Sequence, residues 1–360
     1  MGEFVCETRL IIGSGAVSAL KELGAKRLLL VTDPYFVKNG GAQRVMEASG
    51  ADRVQIFDRV EPDPTVTLAA EGTAAVKEFE PDLVVALGGG STLDCAKAML
   101  YFSGSGARLV AIPTTSGSGS EVTDFAILTH QSIKHPLVDK RLRPAVAILD
   151  DGFLGQLPPG LIADTGFDVL SHALEALVAK NANPITDALA QDAFCTVFAS
   201  LPASFAGRRE VRLKIHTASS MAGMAFTQAG LGLCHALAHT LGGMYHVPHG
   251  RLNAILLPAV IGCNAEACGD KYARLARAAG LGGSADSMAV RNLKNGLIRL
   301  RRELKMPATL AQAGVAPGQV WRDTPAIVAA ALRDSCCETN PVELADFMVR
   351  KVLDEVTGNG

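Results

Sequence analysis

Short apolar runs punctuate the first 150 residues, and amphipathic stretches lie between them. RLLLVTD (27–33), RVQIFD (53–58), DLVVALGGG (82–90), RLVAIPTT (108–115) and AVAILD (145–150) are apolar at successive positions. Runs of this length, rich in Val, Ile and Leu and ending in turn residues, predict strands buried on both faces. TLAAEGTAAVKEF (67–79) and STLDCAKAMLYF (91–102) instead repeat their apolar positions every three to four residues, which predicts helices. Strands alternating with helices predict βαβ units and a parallel sheet.

After Asp150 the pattern changes. LPPG (157–160) is the clearest punctuation in the chain, and beyond it Ala- and Leu-rich segments follow helical spacing. The expected organisation is an α/β domain over 1–155 and an all-helical domain over 156–360. A length of 360 residues supports two cores rather than one.

Composition narrows the class. Hydrophobic residues make up 48% and charged residues 19%, so a packed core is supported and disorder is not. A net charge of -2 gives no basic footprint for nucleic acid or an anionic membrane, and neither is an expected partner. The eight cysteines include no C-x-x-C, and Cys336 and Cys337 are adjacent, a pattern expected of reduced thiols in a cytoplasm. MGEFVCETRL lacks the pattern of a secretory leader, and Cys6 stands where a myristoylation motif needs Ser or Thr. No run reaches the roughly 18 uninterrupted apolar residues of a membrane span.

Two loops carry candidate chemistry. The strand over 82–90 runs into Gly88-Gly89-Gly90-Ser91 and then a helix. Glycines let a backbone approach a ligand closely, and a helix N-terminus offers N–H groups to a phosphate. AIPTTSGSGSEVT (111–123) follows the next strand and is rich in hydroxyls and glycines. Loops at the carboxyl ends of neighbouring strands are where open α/β sheets bind dinucleotides. Asp33 ends its strand where a carboxylate can accept from a ribose 2′-OH and repel a 2′-phosphate; the plainer role is a cap before Pro34. Asp94 and Lys97 on the following helix have a similar plain reading, as a capping or solvated pair. No G-x-S-x-G fits Ser116, Ser118 or Ser120, which disfavours a hydrolase elbow.

Four of the eight histidines fall between 235 and 249. Asp168 and His172 are i and i+4, as are His235 and His239, so each pair shares a helix face. His249 follows after a Gly-Gly break. One histidine on an apolar helix is more often a hydrogen-bonded core residue than a ligand. Three imidazoles and a carboxylate at these spacings suit Fe(II), Zn(II) or a similar divalent ion. Spacing alone does not choose among His235, His239, His246 and His249.

GGGSTLDCAK, PTTSGSGSEVT, TGFDVLSHALEA and GLCHALAHTLGGMYHVPHG together resemble the signatures of the iron-containing, or group III, alcohol dehydrogenases, in that family's order. The resemblance spans nearly the whole chain, from TRLIIGSGAV to TNP (339–341). AGMAFTQAGLGLCHALAH and the short C-terminus look most like the branch of 1-propanol dehydrogenases of propanediol utilisation. It implies a dehydroquinate synthase-like fold, with a dinucleotide-binding α/β domain and an all-α metal-binding domain. It assigns the metal, Fe(II) first and Zn(II) as the alternative, to Asp168, His172, His235 and His249. His239 is left as the catalytic, proton-handling histidine, and His246 receives no functional position. NAD(H) is the implied cofactor, with Gly89, Gly90 and Ser91 at the pyrophosphate and Gly88 and Asp94 also among the cofactor-binding residues. Thr114, Thr115 and Ser118 contact the rest of the dinucleotide, Lys134 its nicotinamide ribose, and Asp33 selects NAD. Phe125, Phe226 and Cys336 match substrate-pocket positions.

The sequence departs from commoner members at Ser118, where Thr is usual, and at Phe167 beside Asp168. Phe125 stands where diol-active relatives carry a polar residue, which favours an apolar substrate chain. The implied activity is interconversion of a short-chain aldehyde such as propanal with its primary alcohol. The alternatives are reduction of an anionic aldehyde such as sulfoacetaldehyde or a semialdehyde, for which Arg251 could serve the anionic tail although its plainer role is a surface helix cation, and a non-catalytic scaffold. The related phosphate-substrate enzymes of the fold need added basic residues near the metal, which are not seen. The expected state is a homodimer or larger homo-oligomer in the cytoplasm, with a bacterial microcompartment as the alternative location.

Overall fold

The apolar runs form strands. In the computed structural model, which describes residues 4–130, 133–155 and 157–358, these are β1 (Arg9–Ile12), β2 (Arg27–Thr32), β3 (Arg53–Phe57), β4 (Leu83–Gly88), β5 (Arg108–Pro113), β6 (Phe125–His130), β7 (Ile133–Val138) and β8 (Val146–Leu149). Six pair in parallel in the order β1-β8-β5-β4-β2-β3. Leu28, Leu30, Val85 and Ile112 enter one apolar cluster, and Leu29, Val31, Val84 and Ala111 another. Both faces are covered, and that is why the runs are apolar without alternation. The helices of this part are α1 (Pro34–Lys38), α2 (Gly41–Ser49), α3 (Val66–Phe79) and α4 (Gly90–Ser103). Phe36 and Val45 of α1 and α2 pack into the first cluster; Val76 of α3 and Met99 of α4 pack into the second.

Two features go beyond the expected pattern. β1 is only four residues long and half exposed, too short for a periodicity, yet it pairs with β8 at the sheet edge. β6 and β7 form a separate antiparallel hairpin that carries Pro136. The strand order reverses at β2 and β4, which places Asp33 and Gly89 at the carboxyl ends of the two strands flanking the switch point, the crevice where ligands bind in open α/β sheets.

The later helices are α5 (Pro159–Val178), α6 (Pro184–Phe205), α7 (Arg212–Ala229), α8 (Leu233–Tyr245), α9 (His249–Ala278), α10 (Asp286–Glu303), α11 (Pro317–Ala331) and α12 (Asp346–Thr357). Pro158 and Pro159 fix the start of α5, because proline suits a first helical turn. α9 packs against α5, α8, α10 and α12. By length and composition it could cross a membrane, yet 67% of its apolar window is buried among its neighbours, so packing accounts for its character.

The chain forms two compact units. Among the described residues, one comprises 5–157 together with 212–223; the other comprises Phe4, 158–211 and 224–358. The first twelve residues of α7 thus belong with the sheet, an excursion that helical periodicity does not reveal against the expected division at 155/156.

Candidate metal centre and cofactor loops

In the sheet-bearing unit, β4 ends at Gly88 and α4 starts at Gly90, with Gly89 as an N-cap that has no side chain. A Cβ on Gly88 would lie 2.3 Å from Thr92 Oγ1, so the tight turn admits only glycine there. The two loops are in contact: positions for a Cβ on Gly89 and Gly90 fall 3.4 Å from Thr115 and 3.0 Å from Ser118. Thr114 N–H donates to the Gly88 carbonyl at 3.0 Å. The glycine loop and the hydroxyl-rich loop therefore form one surface.

Asp94 spends its carboxylate on the protein. It accepts from Ser120 Oγ at 2.6 Å and from Ile127 N–H at 3.0 Å, so it fixes the second loop from behind rather than facing a ligand. Lys97, fully buried, donates to Thr123 and to the Phe125 carbonyl, and burial lowers its pKa to about 8. The solvated-pair reading of these two residues is thereby corrected: both are internal braces. Two side chains of α7 brace the same loop, His216 through Ser116 Oγ at 2.9 Å and Ser220 through Glu121 at 2.5 Å. Asp33 caps α1, with Oδ1 accepting from Tyr35 and Phe36 N–H. Lys134 pairs with Asp63 at 2.7 Å, and Asp63 N–H donates to Ser91 Oγ at 3.3 Å.

In the helical unit, Asp168 on α5, His235 on α8 and His249 at the start of α9 bring one ligand atom each within 4.8 Å of one another. Asp168 Oδ1 lies 3.9 Å from His235 Nε2 and 3.4 Å from His249 Nε2. Burial pushes the Asp168 carboxyl up, but the fields of His172, His249 and His235 and the Asn253 amide outweigh it, and its pKa is lowered. Burial, the first cause in both cases, and neighbouring imidazoles hold His235 and His249 well below the usual imidazole range, so both present lone pairs. An ionised carboxylate converging with two neutral imidazoles is a donor set that fits a divalent cation. His172 lies one turn beyond Asp168, stacked on His235 at 4.5 Å and on Phe226 at 4.3 Å, beside this three-atom cluster rather than within it.

Buried groups hold these candidate donors in place. Glu175 accepts from His235 Nδ1 at 2.6 Å and from the N–H groups of Gly232, Cys234 and His235. It replaces the side-chain cap that Gly232 cannot give α8. Burial raises its pKa to about 7 against these hydrogen bonds. Asn253 donates to Asp168 Oδ1 at 2.8 Å. Arg251 forms a two-point pair with Asp164 at 3.2 and 2.9 Å, which corrects the expectation that it could serve an anionic tail. Sequence reasoning missed Glu175 and Asn253, although spacing marks both: Glu175 is i+7 from Asp168, and Asn253 is i+4 from His249.

His239 lies outside the three-atom cluster. Its ring stacks on His249 at 5.2 Å, and Nδ1 meets Asp334 Oδ2 at 2.9 Å. His239, Asp334 and Cys336 also bring their donor atoms within 4.8 Å of one another. Burial raises Asp334, but the His239 hydrogen bond and the Cys336 N–H outweigh it and lower its pKa to about 2. Burial and Asp334 hold the Cys336 thiol well above its usual range. His246, exposed, ends α8 in the left-handed region at φ 56°, a backbone role. Of the pocket residues expected, Phe226 and Cys336 lie in this unit, and Phe125 lies on β6.

Two family models match the chain: "Iron-containing alcohol dehydrogenase" over residues 7–151, and "Fe-containing alcohol dehydrogenase family, C-terminal" over 162–357. The chain is 40% identical to 1-propanol dehydrogenase PduQ of Citrobacter freundii over 370 residues, covering 99% of this chain and 100% of that protein. Among solved structures it resembles the iron-containing alcohol dehydrogenase of Thermococcus thioreducens, with a TM-score of 0.91, 32% identity, and 98% and 99% of the two chains covered. It also resembles the sulfoacetaldehyde reductase of Bifidobacterium kashiwanohense solved with NAD+, with a TM-score of 0.90, 28% identity and full coverage of both.

Proposed function

We propose, from the premise that this chain belongs to the iron-containing alcohol dehydrogenase family, that it interconverts a short-chain aldehyde such as propanal and its primary alcohol with NAD(H). The observation that carries the reading is the convergence of Asp168, His235 and His249 on one point, with His172 alongside. These four residues would hold a divalent cation, Fe(II) first and Zn(II) second, which would supply positive charge to the substrate oxygen, while bound NAD(H) would supply or accept the hydride. The chain's own groups do the rest. Gly88, Gly89, Gly90 and Ser91 offer backbone N–H groups to the pyrophosphate. Thr114, Thr115 and Ser118 line the adjoining surface, Lys134 serves the nicotinamide ribose, and Asp33 disfavours a 2′-phosphate. His239 moves the proton that accompanies the hydride.

Phe226 and Cys336 in the helical unit, and separately Phe125 on β6, match the family's substrate-pocket positions with apolar side chains, which supports a short unbranched chain over a charged one. Arg251, the cation nearest to the ligands in sequence, is neutralised by Asp164. The reading extends to a homo-oligomer in a reducing cytoplasm, which the eight cysteines without a C-x-x-C support. The test is NADH oxidation by protein loaded with Fe(II) or Zn(II), comparing propanal with sulfoacetaldehyde. A higher kcat/KM for propanal supports the reading; a preference for the sulfonate, or no turnover of either, overturns it.

A further inference from the structure

We infer that Asp334 is a positioning residue for His239: its carboxylate holds the Nδ1–H, which fixes the ring and leaves Nε2 as the nitrogen that gives and takes the proton. The inference rests on the reading of His239 as the proton-handling group. Four observations carry it. Asp334 Oδ2 lies 2.9 Å from His239 Nδ1. Its other oxygen accepts the Cys336 N–H at 2.9 Å and caps the short helix over Ser335–Thr339. That segment is in turn tied to the start of α8: Thr339 Oγ1 donates to the Leu231 carbonyl at 2.7 Å, and Asn340 Oδ1 accepts from Leu233 N–H at 3.1 Å. The carboxylate is therefore fixed relative to the helix that carries His239. Finally, the arrangement repeats one turn earlier, where Glu175 holds Nδ1 of His235 and directs Nε2 toward Asp168.

Two imidazoles on one face of α8 thus each have a carboxylate on Nδ1. One presents its far nitrogen to the cation, the other to a proton. In aldehyde reduction, bound NADH would supply the hydride for the new C–H bond. The Nε2–H bond of the His239 imidazolium breaks, and its proton completes the hydroxyl. His239 then takes a proton from solvent, and alcohol oxidation runs the same steps in reverse. In both directions Asp334 accepts the Nδ1–H and so holds the ring and its tautomer.

The test separates positioning from capping. In Asp334→Asn the amide oxygen must stay on the Cys336 N–H, because an NH2 group there would face another donor. The cap survives, since asparagine is as good a cap as aspartate. The NH2 group then donates to His239 Nδ1 and drives the proton to Nε2. In Asp334→Ala the cap is lost and His239 is left to choose its own tautomer. The positioning role predicts that Asp334→Asn lowers kcat about 10²-fold with KM for NADH unchanged. It also predicts that this loss disappears in a His239→Ala background. Histidine 15N shifts of zinc-loaded protein should show His239 protonated at Nδ1 in the wild type and at Nε2 in Asp334→Asn. A purely structural role predicts the opposite order, with Asp334→Asn active and Asp334→Ala impaired, and that result overturns the inference. If His239→Ala slows turnover while Asp334→Asn does not, this inference fails and the proton role of His239 stands. If His239→Ala leaves kcat intact, both fall.

Discussion

Glu175 Oε2 lies 2.6 Å from Nδ1 of His235, and the same carboxylate accepts three backbone N–H groups at the start of α8. One buried side chain thus caps a helix and sets which nitrogen of a proposed ligand histidine is free. Glu175→Gln leaves one uncharged acceptor oxygen for these four donors, so the hold on Nδ1 weakens whichever way the amide turns, and the ring is freed to change tautomer or orientation. Loss of such a partner typically weakens metal binding about 10- to 100-fold. Metal retained after dialysis against a graded series of chelator concentrations measures this. Retention equal to wild type would show that the ring is oriented by packing alone.

The start of α9 makes a steric prediction. A Cβ on Gly250 would stand 2.0 Å from the carbonyl oxygen of Asp164 and 2.6 Å from its carbonyl carbon, both backbone atoms. Gly250 follows the proposed ligand His249, and Asp164 lies one turn before the proposed ligand Asp168. Gly250→Ala must separate α5 from α9 where the ligands meet. The expected result is a destabilisation of about 1–3 kcal/mol, read from urea midpoints, and a lower metal content in the purified protein. An alanine variant of wild-type stability and full metal content would mean that the crossing can relax without moving the ligands.

Asp33 can be tested without disturbing the fold. Its cap on α1 uses one carboxylate oxygen, and glycine at a cap position costs only a few tenths of a kcal/mol. Asp33→Gly removes the charge proposed to repel a 2′-phosphate. The ratio of kcat/KM for NADPH to that for NADH should rise about tenfold, the effect of roughly 1.4 kcal/mol. An unchanged ratio, or a wild type indifferent between the two cofactors, removes Asp33 from cofactor selection.

The parts of this molecule legible from sequence share one property: the signal lies within a single element. The runs over 27–33, 82–90 and 108–115 are apolar at successive positions because the sheet is buried on both faces, and they became β2, β4 and β5. The i, i+4 spacings at Asp168 and His235 mark helix faces in the same way. What stayed hidden is set by partners distant in sequence. β1 is a strand because of β8, and Asp334 meets His239 across 95 positions. Residues 212–223 are helical by pattern, but their membership of the sheet-bearing unit follows from His216 and Ser220 reaching Ser116 and Glu121. Arg251 looked available for an anion because nothing in the sequence pairs it with Asp164.

His216 makes acid sensitivity a property of the cofactor loop. It is fully buried on α7, bonded through Nδ1 to Ser116 Oγ. Burial lowers its pKa to about 4, against the opposing fields of Asp150 and Asp151. In the unfolded chain the same ring returns to the usual value near 6.5. Between those values the unfolded state binds a proton that the folded state refuses, so stability rises with pH through the window. The contribution of His216 is therefore complete above about 6.5 and is lost as the pH falls toward 4. The gap corresponds to about 3 kcal/mol. His216→Asn keeps a group able to bond Ser116 but cannot take up the proton. Its stability at neutral pH should fall by about 1 kcal/mol or more, for the imperfect fill of the site. Its stability should then depend less on pH from 6.5 to 4 than that of the wild type. Urea midpoints of the two proteins across that range decide the matter. If the two profiles run parallel, His216 is not the group that titrates, and the acid sensitivity of the fold belongs elsewhere.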